Sequence, residues 1–310
     1  MKVKQMNKNA VNNYYQGIFV TETIMGNPNG DFIDNSPRNI DGKVFTTDKC
    51  IKYNVRKYIH ENYENIEDKE NLVFFYPRLT DDASVEESKF LTRDDVLKKL
   101  FNNNFEDLLD GSIDVRMFGG TFSFKKDSKQ IYGPIQLTYG TDINDAQIKK
   151  LQIGAPFANK TGSQTTLGSE SVVDDAIITY DLTINPNNYP GLLSEQDLKI
   201  FKEALWFGTN LRKSTSKKTD AKLLLLVKFK NGTGDRVKSF NIGELKNLVT
   251  VENKNKKSNE KIILSTKALN DKLNDYEEFI DSIEVIYDKN EVELEPELDN
   301  WDYFEPKELL

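Results

Sequence analysis

His60 is the only histidine of the 310-residue chain and Cys50 the only cysteine. Every mechanism that needs two imidazoles is thereby excluded, as are an internal disulfide and any multi-cysteine zinc site. On one helix, the ten residues between Cys50 and His60 span roughly 15 Å at ~1.5 Å per residue, too far for a thiolate–imidazole pair. There is no Gly-x-Ser-x-Gly, no GxxxxGK[ST] and no GxGxxG, so serine hydrolase, nucleotide hydrolase and dinucleotide-binding chemistry lack their signatures. The remaining acid chemistry is Asp31 and Asp34, in a loop rich in Gly and Asn. Two such carboxylates can hold Mg²⁺ against a phosphodiester, or simply satisfy the backbone of a turn. No catalytic residue, cofactor or bound metal is expected, with Asp31 as the alternative: an endoribonuclease acting on target RNA with Mg²⁺.

The basic residues form three clusters. Lys49, Lys52, Arg56 and His60 recur at helical spacing, beside Tyr53, after a glycine-rich loop carrying Asn27, Asn29, Gly30, Arg38 and Lys43. Backbone amides and cations converging in this way suit phosphates, and neither reads a base. A helix with a solvated charged face is the plain alternative. The second cluster runs from Arg212 to Lys222, with Lys213, Ser214, Lys217 and Lys218 between them, and reads as a clamp on single-stranded RNA or as a lysine-rich connection. The third is Asp114-Val-Arg-Met-Phe-Gly-Gly120, where Arg116 supplies a cation and Phe118 either a stacking ring or a core residue, followed by Gln136.

Net charge is −8, which taken alone argues against a nucleic-acid partner. Of 50 acidic and 42 basic residues, 14 and 2 fall in 275–310, leaving 36 and 40 in 1–274. The body is therefore mildly basic and the tail strongly acidic. The tail reads as a solvated, partly flexible terminus, or as an acidic surface that repels stray RNA or meets a basic neighbour. No run approaches the 18 or so apolar residues of a membrane span, and 1–13 lacks the apolar segment of a secretory signal; a cytoplasmic protein is expected.

Alternation over 14–25 predicts a strand, and Thr46 or Thr47 caps a helix running to about residue 63. A strand is predicted over 71–76, a charged and partly helical insertion over 79–110, and a strand over 130–139 interrupted by Gly133-Pro134. Residues 154–171 have almost nothing to bury and read as a projecting loop or weak hairpin. A strand follows at 176–184, then a helix opened by a Ser194-x-x-Asp197 box, and Leu223–Val227 as a strand buried on both faces. A short helix near 266–276 and a strand near 280–287 precede the tail. This order of elements suits an α+β, ferredoxin-like sheet of the RNA-recognition-motif kind.

Asn27-Pro-Asn-Gly-Asp31, Pro37-Arg38, Gly42, Thr47-Asp-Lys-Cys-Ile-Lys52, Arg56 and Tyr58 resemble the N-terminal signature of the CRISPR Cascade backbone family, the seventh Cas family. Asp114–Gly119 and Gly133-Pro-Ile-Gln136 resemble its second signature, and 193–212 its late helix and basic loop. The likeness covers roughly 14–230 and is closest to the type I-B branch. It implies an RNA-recognition-motif palm over 14–230, a fingers insertion at about 79–110, a thumb at about 139–173 and a carboxy-terminal extension over 231–310. It further implies a non-catalytic subunit that polymerises along guide RNA (crRNA) and presents it to target DNA. The partners implied are further copies of itself and other Cascade subunits, with no membrane. Where relatives often place a proline, this loop carries Asp31-Phe-Ile-Asp34.

Overall fold

Along the first long strand, β1 (Tyr15–Gly26), Tyr15 and Phe19 enter one apolar cluster while Ile18 and Val20 enter another. That split is the geometry of a strand buried on both faces, and it organises the molecule. The computed structural model describes residues 9–80, 90–124, 128–155, 166–232, 239–257, 259–297 and 300–310. After β1 come the short β2 (Asn39–Ile40) and β3 (Lys43–Thr46), then helix α1 (Asp48–Asn62). Next are α2 (Arg93–Phe101), α3 (Phe105–Gly111), α4 (Ile113–Phe118), β4 (Gly119–Ser123), β5 (Ser128–Tyr132), β6 (Ile135–Leu137) and β7 (Gly140–Asp142). The hairpin β8 (Ile148–Ala155) and β9 (Thr166–Ile184) leads to α5 (Glu195–Leu211) and β10 (Thr219–Phe229). The chain closes with β11 (Thr250–Val251), β12 (Ile262–Ser265), α6 (Lys267–Asn274), β13 (Ile280–Tyr287), β14 (Val292–Glu295) and β15 (Asp302–Phe304).

The main sheet runs β15-β13-β10-β1-β9-β7-β3-β2, and β6 and β8 also pair with β9. Antiparallel ladders join β10, β1 and β9, with Phe19 opposite Leu224 on one side and Tyr180 on the other. Leu223 to Val227 alternates between the two clusters, so five successive apolar residues are all buried, as the sequence predicts. Helices α1 and α5 cover one face through Ile51, Val55, Ile59, Leu198 and Phe201. The small sheet β11-β12-β14 packs on the other with α6 and Trp301. Ser194 caps α5 with the expected box: its hydroxyl accepts Asp197 N–H, and Asp197 accepts Ser194 N–H.

Four differences from the sequence pattern matter. Residues 71–76 form no strand; Leu72 makes one bridge to Ser112, and the Phe74 and Phe75 N–H groups donate to the Asp114 carboxylate instead of to a ladder. Residues 130–139 are two strands, β5 and β6, separated at Gly133. There the backbone passes so close to Phe118 and Gly119 that a Cβ would sit 2.2 Å from Phe118 C. Gly119 itself turns the chain from α4 into β4 at φ 65°. The acidic tail is folded rather than merely solvated: β13 and β15 extend the main sheet, and Trp301 is buried.

The insertion expected at 79–110 contains α2 and α3, whose apolar residues form a separate small core with Leu72, Phe74 and Phe122; its residues 81–89 lie outside the described ones. The stretch with nothing to bury pairs as β8–β9, from Ile148 opposite Val173 to Ala155 opposite Thr166. The end of that hairpin, 156–165, lies outside the described residues, as do 1–8.

Candidate nucleic-acid interface

Residues 27–38 make a loop tied at its root. Asn27 N–H donates to Ser216 O at 2.7 Å, and its side-chain amide to Asn35 O. Asn29 Oδ1 accepts both Thr47 N–H (2.9 Å) and Thr47 Oγ1 (3.0 Å), fastening the loop to the start of α1. This is why Thr47, at the N-cap, makes no side-chain capping bond. Gly30 bridges to Pro37, and a Cβ there would run into Asn35 Oδ1 at 2.2 Å. The side chains of Asn27 and Asn29 and the bareness of Gly30 therefore hold the loop in shape.

Asp31 closes the tip. Its Oδ1 accepts Ile33 N–H (2.8 Å) and Asp34 N–H (3.0 Å), and these bonds hold its carboxyl below the usual carboxylate range. Asp34 Oδ1 accepts Ser36 N–H at 2.9 Å. Both acids serve the turn, and among the described residues no three His, Cys, Asp or Glu side chains gather as a metal site.

Tertiary contacts sort the ten predicted cations into two sets. Lys52 pairs with Asp48 at 3.1 Å, Arg56 with Asp114 at 2.8 Å, Arg116 with Asp197 at 2.7 Å, and Lys213 with Asp220. Lys52 is also largely buried, which lowers its pKa despite Asp48. His60, the last member of the helical stripe, pairs with Glu64 and stacks on Tyr76. Lys222, counted with the second cluster, is buried between Glu22 (3.2 Å) and Glu291 (2.6 Å). By contrast Arg38, Lys43, Lys49, Arg212, Lys217 and Lys218 have no carboxylate partner among the described residues.

The second set draws the first two clusters together. The chain after α5 passes under the loop, so Lys217 Nζ donates to Asn27 O at 3.0 Å. Arg212 Nη1 lies 3.4 Å from both Cys50 Sγ and Asn54 Oδ1, with its guanidinium 5.0 Å from the Tyr53 ring centroid. Pro28, Cys50, Asn54, Arg212 and Lys217 line one small crevice. Burial, and then Arg212, push the Lys217 ammonium below its ordinary pKa. Two cations crowded without an acid constitute a site of unfilled positive potential, to which an anion restores balance. Ser214 closes its own turn by accepting Lys217 N–H at 3.0 Å, while Lys218 points to solvent.

The third cluster is a joint of the core. Arg116 grips Asp197 with two nitrogens, at 2.7 and 3.0 Å. Phe118 is 5% exposed and packs edge-on against Phe201, with Lys52 and Arg56 over its ring at 5.4 and 5.3 Å. The stacking-ring alternative for Phe118 gives way to the core one, because its faces are taken by the protein itself. Gly120 abuts the Phe75 ring, and Gln136 Nε2 donates to Gly133 O at 2.9 Å. What sequence reasoning missed is Phe32 and Ile33, 98% and 96% exposed at the loop tip. The available signal was two large apolar residues inside a run of turn formers.

The family model described as "CRISPR-associated protein Cas7" matches residues 13–277. Among solved structures, a chain of a "CRISPR RNA-guided surveillance complex" is similar at TM-score 0.52 and 11% identity, over 96% of this chain and 96% of that one. A chain of a "CRISPR RNA-guided surveillance complex, pre-nicking" is similar at TM-score 0.49 and 11% identity, over 96% and 98%. No curated protein matches the sequence.

Proposed function

Because this chain belongs to the CRISPR-associated protein Cas7 family, we propose that it is the crRNA-binding backbone subunit of a CRISPR surveillance complex of the Cascade kind. Copies polymerise along the crRNA and present it for pairing with target DNA, alongside the other subunits. The observation that carries this reading is the group of cations without carboxylates, Arg212 and Lys217 foremost, gathered where the 27–38 loop, the start of α1 and the 212–218 turn meet. Such a group grips sugar–phosphate and ignores sequence, as a subunit that coats any guide must. Purification tests it. The protein is expected to carry RNA of uniform length; material free of nucleic acid, with the absorbance ratio of bare protein, overturns it.

The finer assignments follow the same reading. A palm of the RNA-recognition-motif kind over 14–230 is supported by the order β10-β1-β9-β6 with α1 and α5 on one face. Both faces of this sheet are covered, so the RNA track runs past the loops at the strand ends and not across an open sheet. Fingers at about 79–110 are supported by the separate small core, and a thumb at about 139–173 by the β8–β9 hairpin. The type I-B branch is supported by the order of the two signatures. The subunit performs no chemistry of its own: Asp31 is engaged in its turn and His60 with Glu64. No helix of the described residues is long and apolar enough to cross a membrane, and a cytoplasmic setting accords with a guide-RNA partner.

A further inference from the structure

We propose that Phe32, displayed at the tip of the 27–38 loop, stacks on a nucleobase of the bound RNA, with Arg38 as the layer beneath it. This deepens the RNA-binding reading above and rests on it. Phe32 is 98% exposed and Ile33 96%, although burying either side chain is worth roughly 1.5–3 kcal/mol. The loop gives them no freedom to fold back. Asp31 accepts the N–H groups of Ile33 and Asp34, Asp31 N–H donates to Ser36 O at 3.0 Å, and Arg38 N–H donates to Asn29 O at 3.1 Å. A tied loop that holds an aromatic ring in water presents a platform whose ordering cost is met before the ligand arrives.

Charge and position select the ligand. The Arg38 guanidinium sits 5.3 Å from the Phe32 ring centroid, covering one face and leaving the other open. Arg38 has no carboxylate partner, so cation and ring form the stacked pair on which bases of any identity rest. The root of the same loop meets Lys217 through Asn27, so the ring stands at the border of the cations that hold phosphate. The Asp31 and Asp34 carboxylates at the tip repel a phosphate there, which leaves the uncharged base as the group the tip accepts.

Binding of the full-length protein to an oligouridylate, and to an abasic ribo-oligomer of the same length, tests this over a range of salt. Phe32→Ala is expected to weaken oligouridylate binding roughly 5- to 150-fold, leave the salt slope unchanged, and have no effect on the abasic oligomer. Phe32→Trp is expected to retain affinity. Because Phe32 touches no core residue, the variants fold as the parent does. Equal loss on both oligomers, or no loss on oligouridylate, overturns the stacking. So does an Ile33→Ala or Phe32→Ala variant that keeps its RNA affinity but loses self-association without RNA, which assigns the tip to an apolar socket on a second copy. Wild-type protein that binds neither oligomer overturns the RNA-binding reading and this proposal together; wild-type binding with a steep salt slope, matched by Phe32→Ala, overturns the stacking alone.

Discussion

Arg56 Nε lies 2.8 Å from Asp114 Oδ2, and the Asp114 side chain has no solvent exposure at all. The same carboxylate accepts Ser112 Oγ (2.7 Å), Phe74 N–H (2.8 Å) and Phe75 N–H (3.1 Å), so one acid joins α1, α4 and the 72–76 segment. Arg56 is in this sense a structural cation on the edge of a binding surface. Removing one partner strands a buried charge. Arg56→Ala is expected to cost about 3–5 kcal/mol by urea unfolding, and Asp114→Ala a comparable amount. Wild-type stability in Arg56→Ala would show that the pair is decorative.

Arg212 and Lys217 predict the opposite pattern. Neither neutralises a carboxylate, so Arg212→Ala and Lys217→Ala are expected to change stability by no more than about 0.5 kcal/mol. Each should lower RNA affinity, and each should reduce the slope of log K against log salt by about 0.7 for a single strand. An unchanged slope in the double variant would place the phosphates elsewhere.

Lys217 also makes binding sensitive to alkali. Burial and Arg212 lower its pKa in the free protein, and a phosphate beside it restores the charged form. Affinity should therefore fall as pH rises through the lowered value, and fall less in Lys217→Arg, whose guanidinium keeps its proton. Identical profiles for the two proteins, measured with a short single-stranded oligonucleotide, would contradict this.

On the sheet face away from α1 and α5, Asp175 faces Glu22, Asp142, Asp174 and Lys256, and burial first, then Glu22, raises its pKa to about 6. Lys256 lies 3.8 Å from it and 2.7 Å from Glu22, and Lys222 approaches Glu22 from the other side. The folded value stands above the model value of 3.8. The favourable contribution is thus complete below the unfolded pKa and is lost as pH climbs from about 4 through about 6. Asp175→Asn is expected to be more stable than wild type by roughly 1–3 kcal/mol at neutral pH. That gap should close on acidification toward about pH 4; a gap independent of pH would refute the titration.

Asp31 offers a direct check on the absence of chemistry. With its Oδ1 engaged by two N–H groups, the assembled protein is expected to leave complementary RNA intact in the presence of Mg²⁺, and Asp31→Ala to behave alike. Cleavage by wild type that vanishes in Asp31→Ala would make this subunit a nuclease.

Local signals were enough for β1, α5 and β10, because alternation, a Ser194-x-x-Asp197 box and five apolar residues in a row each describe what a segment does with its own backbone. The same signals put Lys49, Lys52, Arg56 and His60 on one helical face, and they do share it. They failed at 71–76, where a strand-like run sends its N–H groups to a carboxylate about 40 residues away and not to a neighbouring strand. They failed again in separating the cations. Arg56 finds its acid 58 residues away and Arg116 finds its own 81 away, whereas Arg212 and Lys217 find none. By itself the sequence determined that a basic, glycine-rich surface exists, since composition and helical period are properties of the chain. Which of its charges remain open to an anion was decided only by the tertiary structure, because neutralising a charge takes contact within about 4 Å, and spacing along the chain does not set that distance.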